Sequence, residues 1–135
     1  MEEQSVEELV SQIKGRTIAL LGLAFKPNTD DVRESAALRI ALAIAAEGGV
    51  VQAFDPVAME RARAAGFAGK CCQDEYAACT GADALVIATE WNQFRNLDLD
   101  RVRKALRQPV IVDLRNIYDP PDMIGRGFRY TAVGR

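Results

Sequence analysis

RTIALLG (16–22), running on into LAFKPNTDDVRES (23–35), is the stretch that decides the fold. Residues 16–22 are apolar at nearly every position. That pattern suits a strand buried on both faces, as in a parallel sheet. A long loop, LAFKPNTDD, follows. The spacing then predicts a helix from about residue 35 to 47, with Leu38, Ala41, Leu42 and Ala45 as its core stripe. Gly48 and Gly49 end it. Buried strand, loop and helix make one β-α unit.

Further units lie downstream. VVQAF (50–54) reads as a second strand, and Asp55-Pro56 opens a second helix that closes at Gly66. An extended piece is expected near Phe67 and a helical turn at 75–79. ALVIATE (84–90) is a strong strand signal. Residues 97–106 read as a helix with Leu99, Val102 and Leu106 inward. VIVDLRN (110–116) is another buried strand. Pro120, Pro121 and Gly125 mark a turn region, and FRYTAV (128–133) alternates as a last strand. Upstream, residues 3–14 read as a short amphipathic helix with Val6, Leu9, Val10 and Ile13 on one face. Helices between buried strands imply right-handed crossovers. The expected class is α/β: a Rossmann-like, doubly wound, mainly parallel sheet of about five to six strands with helices on both faces, plus the short N-terminal helix.

Bulk properties narrow the function. The chain has 135 residues, which fits one domain. Its net charge of −2 argues against a general basic surface for nucleic acid or membrane. No apolar run approaches the roughly 20 residues of a membrane span. MEEQSVEEL at the N-terminus lacks the order of a signal peptide. The cysteines, Cys71, Cys72 and Cys79, are odd in number and beside no cation but Lys70, so reduced, unactivated thiols in a cytoplasmic protein are expected. Histidine is absent, which excludes Ser-His and Cys-His pairs within the chain. No metal site is expected, because CxxC spacing is absent too.

In an open parallel sheet, ligands bind beyond the carboxyl ends of the strands. Phe25, Lys26, Asn28, Thr29, Asp30, Asp31 and Arg33 follow the first strand. Glu90, Trp91 and Asn92 follow the ALVIATE run, and Arg115 and Asn116 follow the VIVD run. All three sets belong to one rim, where Lys26, Arg33 and Arg115 are expected to converge near two aromatics. Guanidinium forks and an ammonium suit phosphate oxygens, and aromatic faces suit a base. Plainer readings stand beside this one. Loop cations are usually solvated. Asp31 and Glu34 have capping-box spacing, Arg33 can pair with a neighbouring aspartate, and Trp91 can be packing alone. The first turn, Gly22-Leu-Ala-Phe-Lys, lacks the G-x-G-x-x-G of a dinucleotide cradle. Asp55 is therefore read as an N-cap before Pro56 at the first helical position.

GLAFKPNTDDVRES (22–35), Asp55-Pro56, ATEWNQF (88–94), VDLRNIY (112–118) and FRYTAVGR (128–135) resemble the C-terminal domain of UDP-glucose 6-dehydrogenases. The resemblance covers about 15–135. It implies an enzyme that oxidises UDP-glucose to UDP-glucuronate by two successive hydride transfers to NAD. NAD would be held mainly by an N-terminal Rossmann domain, and the full-length enzyme would be a homodimer. The resemblance implies that Phe25 and Lys26 contact the UDP-sugar, that Arg115 binds its nucleotide part, and that Arg33 reaches across a cleft to NAD. No catalytic thiol of the family maps onto this chain, so the chain alone is expected to be inactive. Residues 15–135 are expected to form the UDP-sugar-binding domain. Residues 1–14 are the end of a preceding linker or dimerisation region, or vector-derived, and Met1 before the helix suggests an expressed fragment. Two rivals are a stand-alone nucleotide-binding regulatory domain and a receiver-like signalling domain. The receiver reading draws on Asp30, Asp31 and Thr89, but lacks a third strand ending in aspartate.

Overall fold

Alternate side chains of β1 (Thr17–Leu21) enter two different cores, which is why the run is apolar throughout. The computed structural model describes residues 14–132 apart from Phe25, Pro27 and Glu34. The helix expected over 3–14 thus lies, except for Lys14, outside the described residues. Ile18 and Leu20 share one core with residues of α1 (Ala36–Ala46) and α2 (Met59–Ala64). Ala19 and Leu21 share the other with α3 (Glu75–Cys79), α4 (Leu99–Ala105) and α5 (Pro120–Gly125).

The remaining strands are β2 (Val50–Phe54), β3 (Lys70–Cys71), β4 (Ala84–Ile87), β5 (Val110–Asp113) and β6 (Arg129–Ala132). They form a six-stranded sheet in the order β3-β2-β1-β4-β5-β6, and every pairing is parallel. This is the doubly wound Rossmann-like order, with its topological switch between β1 and β4. A receiver-like domain has the order 2-1-3-4-5, so that rival is excluded. Among the described residues no helix is long and apolar enough to cross a membrane.

Several local expectations change. The buried face of α1 is Ala37, Leu38, Ala41 and Ile44, while Leu42 is 40% exposed and Ala45 is exposed. Alanine, leucine and isoleucine fill almost the whole helix, so its apolar stripe has no sharp phase. The second helix begins at Met59 rather than beside Pro56, because Asp55 first closes a turn by accepting from Val57 N and Ala58 N. Pro120 and Pro121 open a helix instead of a turn. They occupy its first positions, where a missing N–H costs nothing, and Asp119 caps it. The extended piece falls at Lys70–Cys71, and Phe67 turns into the core. β4 stops at Ile87, which leaves 88–90 to the rim.

Candidate functional site

The rim at the switch point begins with Gly22, whose φ of +102° lies in the left-handed region. A Cβ there would stand 2.3 Å from Thr89 Oγ1 and 2.8 Å from Thr89 N. The turn after β1 is therefore pressed against the end of β4. The next two amides, Leu23 N and Ala24 N, donate to Asp55 Oδ2 at 2.8 and 3.2 Å. Asp55 is fully buried, and its other oxygen serves Val57 N and Ala58 N. Four backbone donors thus converge on one carboxylate at the end of β2. In a dinucleotide cradle the amides of the first turn face the pyrophosphate. Here they are already taken, so this turn does not fit NAD as its primary site.

Beyond Ala24, Lys26 is exposed, and among the described residues no ion pair involves it. Thr29 Oγ1 accepts from Asp31 N at 3.1 Å, and Asn28 holds a φ of +65°. Arg33 folds back on Asp31, with its Nε and Nη2 on the two carboxylate oxygens at 3.0 and 2.9 Å. The hydrogen bonds from Arg33 hold the Asp31 carboxyl down to about 2, so the pair stays charged in more acidic solution than an ordinary carboxylate would. Arg61 of α2 pairs with Asp30 at 3.3 Å. Asp30, Asp31, Val32, Arg33 and Arg61 line a cleft of about 390 Å³. Ser35, not Asp31, caps α1. Its Oγ accepts from Leu38 N and donates to Leu23 O, which anchors the far end of the loop.

The loops after β4 and β5 form a second group. Asp113 is fully buried and accepts from Arg115 N, Ile117 N and Tyr118 N, which wraps the backbone into a tight arch with Asn116 at φ +57°. Arg115 leaves this arch, and its Nη2 meets Glu90 Oε1 at 2.9 Å. The other oxygen of Glu90 meets Arg95 Nη2 at 3.4 Å. Tyr118 ties the two loops together. Its hydroxyl donates to Phe94 O and accepts from Leu97 N, and burial pushes its pKa up to about 12. Trp91 packs against the core, and its indole N–H is buried without an acceptor among the described residues.

Register sets the distance between the groups. Leu21 pairs with Ile87, and Ile87 with Asp113, so the loops carrying Lys26, Glu90 and Arg115 leave the sheet at one level. β1 and β5 are two strands apart, about 10 Å. All three expected cations do belong to one rim. They do not form a single triad, because Arg33 sits with Arg61 and two aspartates, while Arg115 sits with Glu90 and Arg95. Phe25 lies outside the described residues. Arg61 and Arg95 escaped the sequence reading, since neither belongs to a recognisable spacing.

The cysteines stand apart from the rim chemistry. Cys72 and Cys79 are buried and Cys71 half-buried. Burial pushes the Cys79 thiol up to about 12 and also raises that of Cys72. A thiol reagent at pH 8 is expected to modify Cys71 and spare Cys72 and Cys79 until the chain is unfolded. Intact-mass spectrometry before and after denaturant checks this. Rapid native modification of Cys79 would contradict it.

Comparison with known proteins matches this architecture to one group. The UDP-glucose/GDP-mannose dehydrogenase family, UDP binding domain, matches residues 19–120. A UDP-glucose 6-dehydrogenase of Rhizobium meliloti (strain 1021) is 49% identical over 123 residues, which is 91% of this chain and 28% of that protein. The UDP-glucose 6-dehydrogenase TuaD of Bacillus subtilis (strain 168) is 41% identical over 128 residues, 94% of this chain and 28% of its own length. A solved UDP-glucose dehydrogenase from the hyperthermophilic archaeon Pyrobaculum islandicum superimposes with a TM-score of 0.73 at 36% identity, covering 91% of this chain and 27% of that one. The chain thus spans little more than a quarter of these relatives. Through both its sheet and its sequence, it belongs to the UDP-glucose/GDP-mannose dehydrogenase family, as a UDP binding domain.

Proposed function

We propose that residues 15–135 bind the nucleotide part of a UDP-sugar at the carboxyl rim, within a UDP-glucose 6-dehydrogenase that oxidises UDP-glucose to UDP-glucuronate with two NAD. The observation that carries this reading is Arg115, lifted from the end of β5 by the Asp113 arch with its guanidinium partly open to solvent. Lys26 follows β1 on the other side of the switch point, and β1 and β5 lie about 10 Å apart, a spacing within the span of a nucleoside diphosphate. Arg115 would present a planar fork to the nucleotide, and Lys26 would supply a mobile point charge. Phe25 would add an aromatic contact with the UDP-sugar.

Arg33 serves NAD in this reading. Its place in a cleft apart from Arg115 suits a different ligand from the one Arg115 binds. The remainder of the NAD site belongs to another domain, since the amides after β1 are committed to Asp55. NAD supplies hydride acceptance. This chain contributes substrate binding and orientation, and the catalytic thiol lies outside it. The chain alone is therefore inactive. The whole enzyme works as a cytoplasmic homodimer in this reading.

Calorimetric titration with UDP tests the site. The chain is expected to bind UDP, and Arg115→Ala to weaken it about tenfold, the value of one charge-assisted hydrogen bond pair. Lys26→Ala is expected to weaken it less. Affinity unchanged in both variants would remove the assignment.

A further inference from the structure

Glu90 divides its two carboxylate oxygens between Arg115 at 2.9 Å and Arg95 at 3.4 Å. The three residues come from adjoining parts of the rim. Glu90 follows β4, Arg115 follows β5, and Arg95 lies in the 3-10 segment Asn92–Asn96. Their meeting is built by the fold. β4 and β5 are hydrogen-bonded neighbours, Trp91 anchors the backbone beside Glu90 in the core, and Tyr118 clips the two loops together. An anion arriving at Arg115 therefore meets a guanidinium already neutralised, with a like charge beside it. Glu90 is about one third exposed, and ion pairs so close to solvent are weak and readily exchanged.

From this juxtaposition we propose that Glu90 is an internal stand-in for the ligand's phosphate, holding Arg115 while the site is empty and surrendering it by withdrawing onto Arg95. The inference rests on the reading that Arg115 binds the nucleotide. It assigns Glu90 and Arg95 as residues that set affinity without touching the ligand. A retreating carboxylate needs a second cation, or it would be left unpaired beside the incoming phosphates, and Arg95 is in position to supply it. The arrangement also selects for charge, because only a ligand with enough negative charge to outcompete the carboxylate gains Arg115.

The test is UDP titration of the whole chain as wild type, Glu90→Gln, Arg95→Ala, Arg115→Ala and the Glu90→Gln/Arg95→Ala double variant. Melting without UDP confirms that each is folded. Glu90→Gln keeps the shape, removes the competing charge, and is expected to bind UDP about threefold more tightly than wild type at low salt. That gain should shrink as salt rises. Arg95→Ala is expected to weaken UDP binding about twofold, because Glu90 is left to Arg115 alone, and to have no effect once Glu90 is glutamine. If Arg95→Ala weakens binding equally in both backgrounds, Arg95 contacts the ligand and the hand-over is wrong. If Glu90→Gln binds no better than wild type while Arg115→Ala still loses affinity, the stand-in role fails and the nucleotide site survives. If UDP affinity is indifferent to Arg115→Ala, the site and this inference fall together.

Discussion

Asp55→Ala is expected to destabilise the chain by roughly 4 kcal/mol, from four backbone donors stranded at about 1 kcal/mol each. Leu23 N and Ala24 N lie on one side of the carboxylate and Val57 N and Ala58 N on the other. The carboxylate that they share is fully buried at the end of β2. Asp55→Asn keeps one oxygen for one of the two pairs but turns an amide NH2 donor toward the other, so at least half the loss is expected. Denaturant midpoints of the three proteins measure the series. An alanine variant within about 1 kcal/mol of wild type would show that water or a shifted backbone takes over the donors. Both variants are also expected to weaken UDP binding, because the loop bearing Lys26 loses its inner anchor.

Gly22→Ala should cost about 3 kcal/mol for two separable reasons. An L-residue at a φ of +102° is strained wherever it stands. The added Cβ would also sit 2.3 Å from Thr89 Oγ1, 2.4 Å from Thr89 Cβ and 2.8 Å from Thr89 N. The first two of those atoms belong to a side chain and the third to the backbone. Thr89→Gly in the Gly22→Ala background is therefore expected to recover part of the loss and no more. A double-mutant cycle read by thermal melting separates contact from strain. Full additivity of the two changes would mean that the close approach is relieved elsewhere, and that only the backbone conformation matters.

The parts of the fold legible in the sequence are those where burial leaves no polar position. The β1, β2, β4 and β5 runs are apolar enough to announce a sheet covered on both sides, and the order of elements then constrains the topology. Where packing is shared, the pattern thins. α1 is apolar nearly all round, so Leu42 could not be told from Ile44 as a core residue. β3 is two residues long and exists only because Lys70 and Cys71 meet Gln52 and Ala53. Pro120-Pro121 looks like a turn until Asp119 is seen capping a helix. The rim residues were found by a rule about strand ends, which needs no distances. Of their partners the sequence offers only the aspartate beside Arg33, because Glu90 meets Arg115 through the register of two strands and Arg61 meets Asp30 from a separate helix. From the sequence alone, Asp55 reads as a helix cap. Instead it closes a turn ahead of the helix, whose cap is Ala58, and its bond to the loop after β1 spans more than thirty residues and has no local signature.

Among the described side chains, one hydroxyl links two firmly built shoulders. The shoulder after β1 is fastened to the β2 side by Asp55 and Arg61, and the shoulder made by the β4 and β5 loops is riveted by Tyr118. Past the ends of the strands, the described side-chain link from one to the other is Thr89 Oγ1 to Ala24 O, at 3.3 Å. Any opening of the rim is expected to follow that seam and to leave either bank intact. A molecule gripping Lys26 on one bank and Arg115 on the other would act as a bolt across that seam. Its arrival should be visible as slowed amide exchange in both loops at once, including stretches it never touches.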